Sequence, residues 1–136
     1  NAPSANAAYR RYVDHLDIDG DGDLDIVTNE FNAAPMVLVS NLSEKRPLRY
    51  LAVKLTGTTS NRDGLGAIVK VTAGGTTYTK VYDGNSGYLS HSLYPLYFGL
   101  GAAETVESIE VQWLSGKKQT VRAPIKINSV VEVREQ

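Results

Sequence analysis

Glu107-Ser108-Ile109-Glu110-Val111-Gln112-Trp113 alternates without a break: Ile109, Val111 and Trp113 share one phase, Ser108, Glu110 and Gln112 the other. Extended, such a run buries one face, because successive side chains of a strand point to opposite sides. The same period recurs on either side. Upstream, Leu51, Val53 and Leu55 share a phase, and so do Ala67, Val69, Val71 and Ala73. Downstream the pattern returns at Val121, Ala123 and Ile125, and at Val131 with Val133. Turn-forming pairs separate the runs: Asp63-Gly64, Gly74-Gly75, Asp83-Gly84 and Ser115-Gly116. No stretch carries a convincing 3.6-residue period. The expectation is an all-β domain over residues 47–136, an antiparallel β-sandwich or flattened barrel of about seven strands. Its core should hold Leu51, Val53, Leu55, Val69, Val71, Ile109, Val111, Trp113, Val131 and Val133.

Composition agrees. Val, Ile and Thr together number 30 of 136 residues, beside 8 Tyr, an enrichment that suits a pleated sheet. The 42% apolar and 21% charged content is that of a globular chain. With 15 acids and 14 bases the chain lacks the charge excess of a nucleic-acid binder. No apolar run approaches the roughly 18 residues that span a bilayer. Without Cys there are no disulfides, thiolate metal sites or Cys nucleophiles. The chain starts at Asn1, its only Met is Met36, and no signal peptide is visible, so it reads as a piece of a longer or processed protein. Residues 1–8 are small and polar, as in a linker or frayed end.

The charge is concentrated. Residues 14–25 hold Asp14, Asp17, Asp19, Asp21, Asp23 and Asp25, which leaves nine acids against fourteen bases elsewhere. Crowding carboxylates in this way is repulsive unless a cation or water relieves it. Asp17-Ile18-Asp19-Gly20-Asp21-Gly22-Asp23-Leu24-Asp25 has the spacing D-x-D-x-D-G-x-x-D. Asp17, Asp19 and Asp21 can converge only if the chain curls sharply, and Gly22 supplies the permissive backbone. Asp23 would then offer its main-chain carbonyl with its side chain in solvent, and Asp25 would close the cage. An all-oxygen, anionic set suits Ca²⁺ better than Mg²⁺, and zinc would want more nitrogen or sulfur than His15 can give. An EF-hand is excluded: its twelfth position, normally Glu, is Thr28, and the exit segment Leu24-Asp25-Ile26-Val27-Thr28 reads as a strand. A second strand at Met36-Val37-Leu38-Val39-Ser40 would make a hairpin with it, and residues 41–47 read as the connector between the two modules, 1–46 and 47–136.

Two resemblances follow from these residues. Val13-Asp14-His15-Leu16-Asp17-Ile18-Asp19-Gly20-Asp21-Gly22-Asp23-Leu24-Asp25-Ile26-Val27 resembles the FG-GAP (VCBS) repeat, the calcium-binding blade unit of integrin-α-type propellers. Four ordered motifs resemble the ASPIC/UnbV domain: Ser60-Asn61-Arg62-Asp63-Gly64-Leu65-Gly66-Ala67, Gly87-Tyr88-Leu89-Ser90, Leu96-Tyr97-Phe98-Gly99-Leu100-Gly101 and Val111-Gln112-Trp113-Leu114-Ser115-Gly116-Lys117. Leu114 stands where that family usually has Pro, and His91 where Gln is common. The resemblances imply an N-terminal β-hairpin remnant of a propeller blade, one structural Ca²⁺, and an extracellular or cell-surface setting.

Other chemistry is poorly supported by the sequence. Ser90 and His91 are adjacent, so in a strand they point apart and cannot pair as nucleophile and base with Asp83. Ser86 lacks the strand–elbow–helix context of a hydrolase. Tyr88, Tyr94, Tyr97 and Trp113 could make a sugar platform, but such residues more often fill a core or its rim. Lys117, Lys118, Arg122 and Lys126 read as a solvated face, and the Gly99/Gly101 segment lacks the Lys of a phosphate loop. Asn41-Leu42-Ser43 fits a glycosylation sequon. The expected function is a non-catalytic, calcium-stabilised extracellular binding or adhesion module, the C-terminal part of a larger propeller-containing protein. The alternatives are an accessory domain of a larger glycan-active enzyme, or a structural cap of the propeller. Its partner would be an unidentified protein or glycan, without nucleic acid or a membrane span, and with self-association through the blade remnant.

Overall fold

A computed structural model describes residues 11–30, 34–87 and 90–136. The expected linker at residues 1–8, residues 31–33 in the stretch between the two expected strands, and Tyr88 and Leu89 lie outside the described residues. The elements are β1 (Arg11–Leu16), β2 (Asp25–Glu30), β3 (Met36–Leu38), a single turn of helix α1 (Leu42–Lys45), β4 (Tyr50–Thr56), β5 (Ile68–Ala73), β6 (Thr76–Val81), β7 (Asn85–Gly87), β8 (Ser90–His91), β9 (Leu96–Gly99), β10 (Val106–Gln112), β11 (Lys118–Ile125) and β12 (Val130–Arg134). They group into two compact units, one of Asn1–Lys45 with Asn85–Ser92, the other of Arg46–Gly84 with Leu93–Gln136. The β7–β8 hairpin therefore belongs with the N-terminal unit, although the sequence reading assigns it to the C-terminal module.

The larger unit is a sandwich. One sheet runs β11-β10-β5-β6 and the other β12-β4-β9. The sheets do not close into a barrel, which decides between the two expected forms. Every neighbouring pair in this unit is antiparallel except β12 with β4, where Val133 lies opposite Leu55 in parallel register. The inward phases are the ones the sequence marks: Leu51, Val53 and Leu55 from one sheet meet Val69, Val71, Ile109 and Val111 from the other, with Trp113, Phe98, Leu100 and Val133. Trp113 is 2% exposed, and its indole N–H donates to Gln119 Oε1 at 3.2 Å, so the buried polar atom is satisfied. Val131, expected in the core, packs against it only half-buried.

Two local devices hold this unit in register. In β10, Val106 and Ile109 both face the core although three positions separate them. The register shifts between Val106 and Ser108: opposite β5, Glu107 is the extra residue of a bulge that restores the phase, while opposite β11 the extra residue lies on β11, between Arg122 and Ile125. Between β5 and β6, Gly74 and Gly75 have φ of 55° and 74°, the left-handed pair that a two-residue hairpin turn requires.

In the smaller unit β1, β2 and β3 form one antiparallel sheet, and β7 and β8 another pair. The expected β2–β3 hairpin is present, with Ile26 opposite Leu38 and Val27 opposite Val37. It is joined by β1, whose Leu16 lies opposite Asp25. The acidic run is thus the loop of the β1–β2 hairpin.

Candidate metal centre

The β1–β2 loop folds on its own carboxylates. Asp17 Oδ1 accepts the Gly20 amide at 2.7 Å and its Oδ2 the Gly22 amide at 3.1 Å. Asp19 Oδ1 accepts the Asp21 amide at 3.3 Å, and Asp21 Oδ1 the Asp23 amide at 3.0 Å. Such short-range bonds are what Asp offers a turn in place of a backbone partner. Gly20 and Gly22, with φ of 79° and 90°, make the two left-handed steps that the curl needs. The outcome is that one carboxylate oxygen from each of Asp17, Asp19 and Asp21 lies within 4.8 Å of the others.

Asp25 and Asp23 hold the loop from beneath. Asp25 is 1% exposed, its Oδ2 accepting the Ile18 amide at 2.8 Å and its Oδ1 the Ser40 amide at 2.8 Å. Asp25 is therefore engaged with backbone across the loop and is not one of the three converging carboxylates. Asp23 corrects one expectation: its side chain does not face solvent but is 4% exposed. Its Oδ2 accepts the Ser43 amide at 2.9 Å, and its Oδ1 is buried without a hydrogen-bond partner. The sequence missed this because the donor comes from α1, twenty residues downstream, a turn too short to announce itself. The Ser43 hydroxyl also donates to Asp21 Oδ2, so the segment after β3 is clipped to the loop at two of its acids.

The electrostatics separate the acids. The Asp19 carboxyl is exposed, yet it is held above its ordinary value, first by partial withdrawal from water. The neighbouring charges of Asp21, Asp25 and Asp17 push it the same way, against the Asp21 amide. Asp23 is held below its ordinary value, chiefly by the Ser43 amide. Three converging carboxylates with only oxygen donors, beside a buried carboxylate oxygen lacking a partner, fit a hard divalent cation.

The remaining candidates divide. In β8, Ser90 is buried and His91 exposed, on opposite faces. Trp113 is core, Tyr97 is half-buried and stacks on Tyr50 with ring centroids 5.7 Å apart, and Tyr94 is exposed. Lys117, Lys118, Arg122 and Lys126 are all exposed. The Ser60-to-Ala67 motif builds a loop: Asn61 Oδ1 accepts the Leu65 amide and Asn61 Nδ2 donates to the Leu65 carbonyl, both at 2.7 Å. Gly64, at φ 75°, lies where a Cβ would come 2.7 Å from Leu55 Cβ, so close packing demands Gly there.

The profile of the ASPIC and UnbV family matches residues 57–136, which is more than half of the chain. The chain belongs to that family. No curated protein matches it. The family match begins downstream of the acidic loop. No helix among the described residues is long and apolar enough to cross a membrane.

Proposed function

We propose that this chain is a non-catalytic, calcium-stabilised extracellular binding or adhesion module, working as the C-terminal part of a larger propeller-containing protein. The observation that carries this reading is the convergence of Asp17, Asp19 and Asp21 on one point of a hairpin loop. These side chains, with the Asp23 carbonyl and Asp25, would hold the ion, as the likeness to an FG-GAP (VCBS) repeat implies. A bound Ca²⁺ cancels the mutual repulsion and stiffens the loop against the Ser40–Ser43 clip. It would add about 2.7 kcal/mol of stability at a hundred times its Kd. Calorimetry on chelator-treated chain tests the site. Saturable calcium binding is expected, and the double variant Asp19→Ala, Asp21→Ala should abolish it. A double variant that binds as wild type does overturns the assignment.

The partner surface belongs to the same proposal. Val37, Leu38 and Val39, at 56%, 50% and 58% exposure, make an apolar stretch on and just beyond β3, which is an edge of its sheet. Open edges of this kind pair with further strands. A protein or glycan ligand, or a second copy, would be met from this side. Light scattering should find concentration-dependent association that Val37→Lys removes, and a strictly monomeric wild type would refute self-association.

A further inference from the structure

Glu135 is 3% exposed, and its carboxylate takes five hydrogen bonds from uncharged donors. The amides of Thr58, Thr59 and Ser60 converge on Oε2 at 2.9, 2.8 and 2.7 Å. The hydroxyls of Ser60 and Ser115 donate to Oε1 at 3.1 and 2.5 Å. Three successive amides turned toward one point form a concave anion receptor, the backbone arrangement known as a nest. The nearby cation serves other groups: Lys117 Nζ donates to Thr59 Oγ1 at 3.0 Å and to the Gln136 carbonyl at 2.8 Å.

The receptor is shaped independently of its occupant. Gly57 donates to the Arg62 carbonyl at 2.9 Å, Gly64 to the Asn61 carbonyl at 3.0 Å, and Asn61 is tied to Leu65 at both ends of its amide. Gly57 has no substitute here, because a Cβ would lie 2.1 Å from the Asn61 carbonyl oxygen. Ser115 is placed by its own amide, which donates to Ser60 Oγ at 3.1 Å, and by the turn in which Gly116 donates to the Trp113 carbonyl at 3.0 Å. None of these bonds involves Glu135. Two stretches with a family likeness, at Ser60 and Ser115, thus meet at one buried carboxylate at the far end of the chain.

We propose that the amides of residues 58–60, with the Ser60 and Ser115 hydroxyls, are a carboxylate-binding site, and that Glu135 is its resident ligand, locking the C-terminal strand onto the sandwich. β12 is an edge strand, paired on one side only, in parallel with β4. The lock fastens its end: the Glu135 amide donates to the Thr56 carbonyl at 2.9 Å while the side chain fills the nest. With the side chain removed, the site accepts a free small carboxylate such as formate.

The test compares the full chain with Glu135→Ala and Glu135→Gln by thermal unfolding in sodium formate and in sodium chloride of equal ionic strength. Glu135→Ala should have a lowered midpoint that formate, and not chloride, raises saturably. Wild type and Glu135→Gln, whose nest is filled, should respond to the two salts alike. A Glu135→Ala protein that formate stabilises no more than it does wild type overturns the proposal. Amide exchange covers the case in which Glu135→Ala fails to fold. The amides of residues 58–60 should be protected in wild type and exchange at least tenfold faster in Glu135→Gln, with Val69 and Ile109 unchanged. Free exchange at residues 58–60 in wild type overturns it equally.

Discussion

The acidic loop and the Glu135 nest use the same bond in different company. In both, a carboxylate buried near a sheet end accepts backbone N–H groups and so fastens distant segments together: Asp25 and Asp23 fasten residues 40–43, and Glu135 fastens residues 58–60. The difference is charge balance. Glu135 is one carboxylate with five donors, whereas residues 14–25 hold six carboxylates, one of which keeps a buried oxygen without a partner. A single buried charge that is fully hydrogen-bonded needs nothing more. A crowd of them does, and the shortfall is what makes the first site a candidate for a cation and the second a finished lock. Burial of a carboxylate alone does not distinguish a ligand site from a structural one; the count of donors against charges does.

The largest effect that separates the two regions should come from the apolar core of the larger unit, to which the second region belongs. Trp113→Ala should cost about 3–5 kcal/mol, as expected for a large buried aromatic. Chemical denaturation followed by circular dichroism would measure it. Calcium affinity of the acidic loop should be unchanged in the same variant, and a parallel loss would mean that the two regions do not behave separately.

Acid should act next. Glu135 would be raised by burial, but the Ser115 hydroxyl and the amides of Ser60, Thr58 and Thr59 outweigh that and bring it from 4.5 to about 2. A carboxyl lowered on folding stabilises the fold at pH above its unfolded value and loses that contribution as pH falls through its folded value. The stability gap between wild type and Glu135→Gln should therefore be constant above about pH 5 and narrow steadily from there toward pH 2. A gap that stays constant over this window would mean that the nest does not favour the ionised form.

Within the first region, Asp25→Asn should act locally. The amide group keeps one acceptor and turns an N–H₂ toward either the Ile18 or the Ser40 amide, leaving a buried donor unpaired, at about 1–3 kcal/mol. Amide exchange should accelerate at Ile18 and Ser40 and stay unchanged in β5 and β10. Acceleration throughout β5 and β10 would show the loop to be integral to the sandwich.

How much of this was legible follows the same physics. The core strands were read correctly because a half-buried strand must alternate, and β4, β5 and β10 do. β6, Thr-Thr-Tyr-Thr-Lys-Val, was not, since an edge strand with both faces largely open has no apolar phase to display. β1 was missed because Tyr12, Val13 and Leu16 fall in both phases. In the loop, the D-x-D-x-D-G spacing announced the convergence of Asp17, Asp19 and Asp21, because those bonds span two to five residues. Glu135 gave no such signal: its donors lie 20 to 77 residues away, and only the tertiary fold brings them together.

The smallest effect is expected at a carboxylate that is neither crowded nor enclosed. Glu104 Oε1 lies 3.0 Å from Arg49 Nη2, with 79% of its side chain exposed. Arg49 is anchored separately, its Nη1 donating to the Ala102 carbonyl at 2.7 Å. Water and salt screen the pair, and the ordering of two long side chains opposes it, so Glu104→Gln should cost no more than about 0.5 kcal/mol. The same measurement that reads Glu135→Gln reads this variant, with identical chemistry removed: one negative charge exchanged for a neutral amide. The two differ only in surroundings, five fixed donors in a buried nest against one guanidinium reached by a largely exposed carboxylate. If Glu104→Gln destabilised the chain as much as Glu135→Gln, loss of charge would account for both, and the preformed donors of residues 58–60 would have no special part. A large cost at Glu135 beside a negligible one at Glu104 places the effect in the nest.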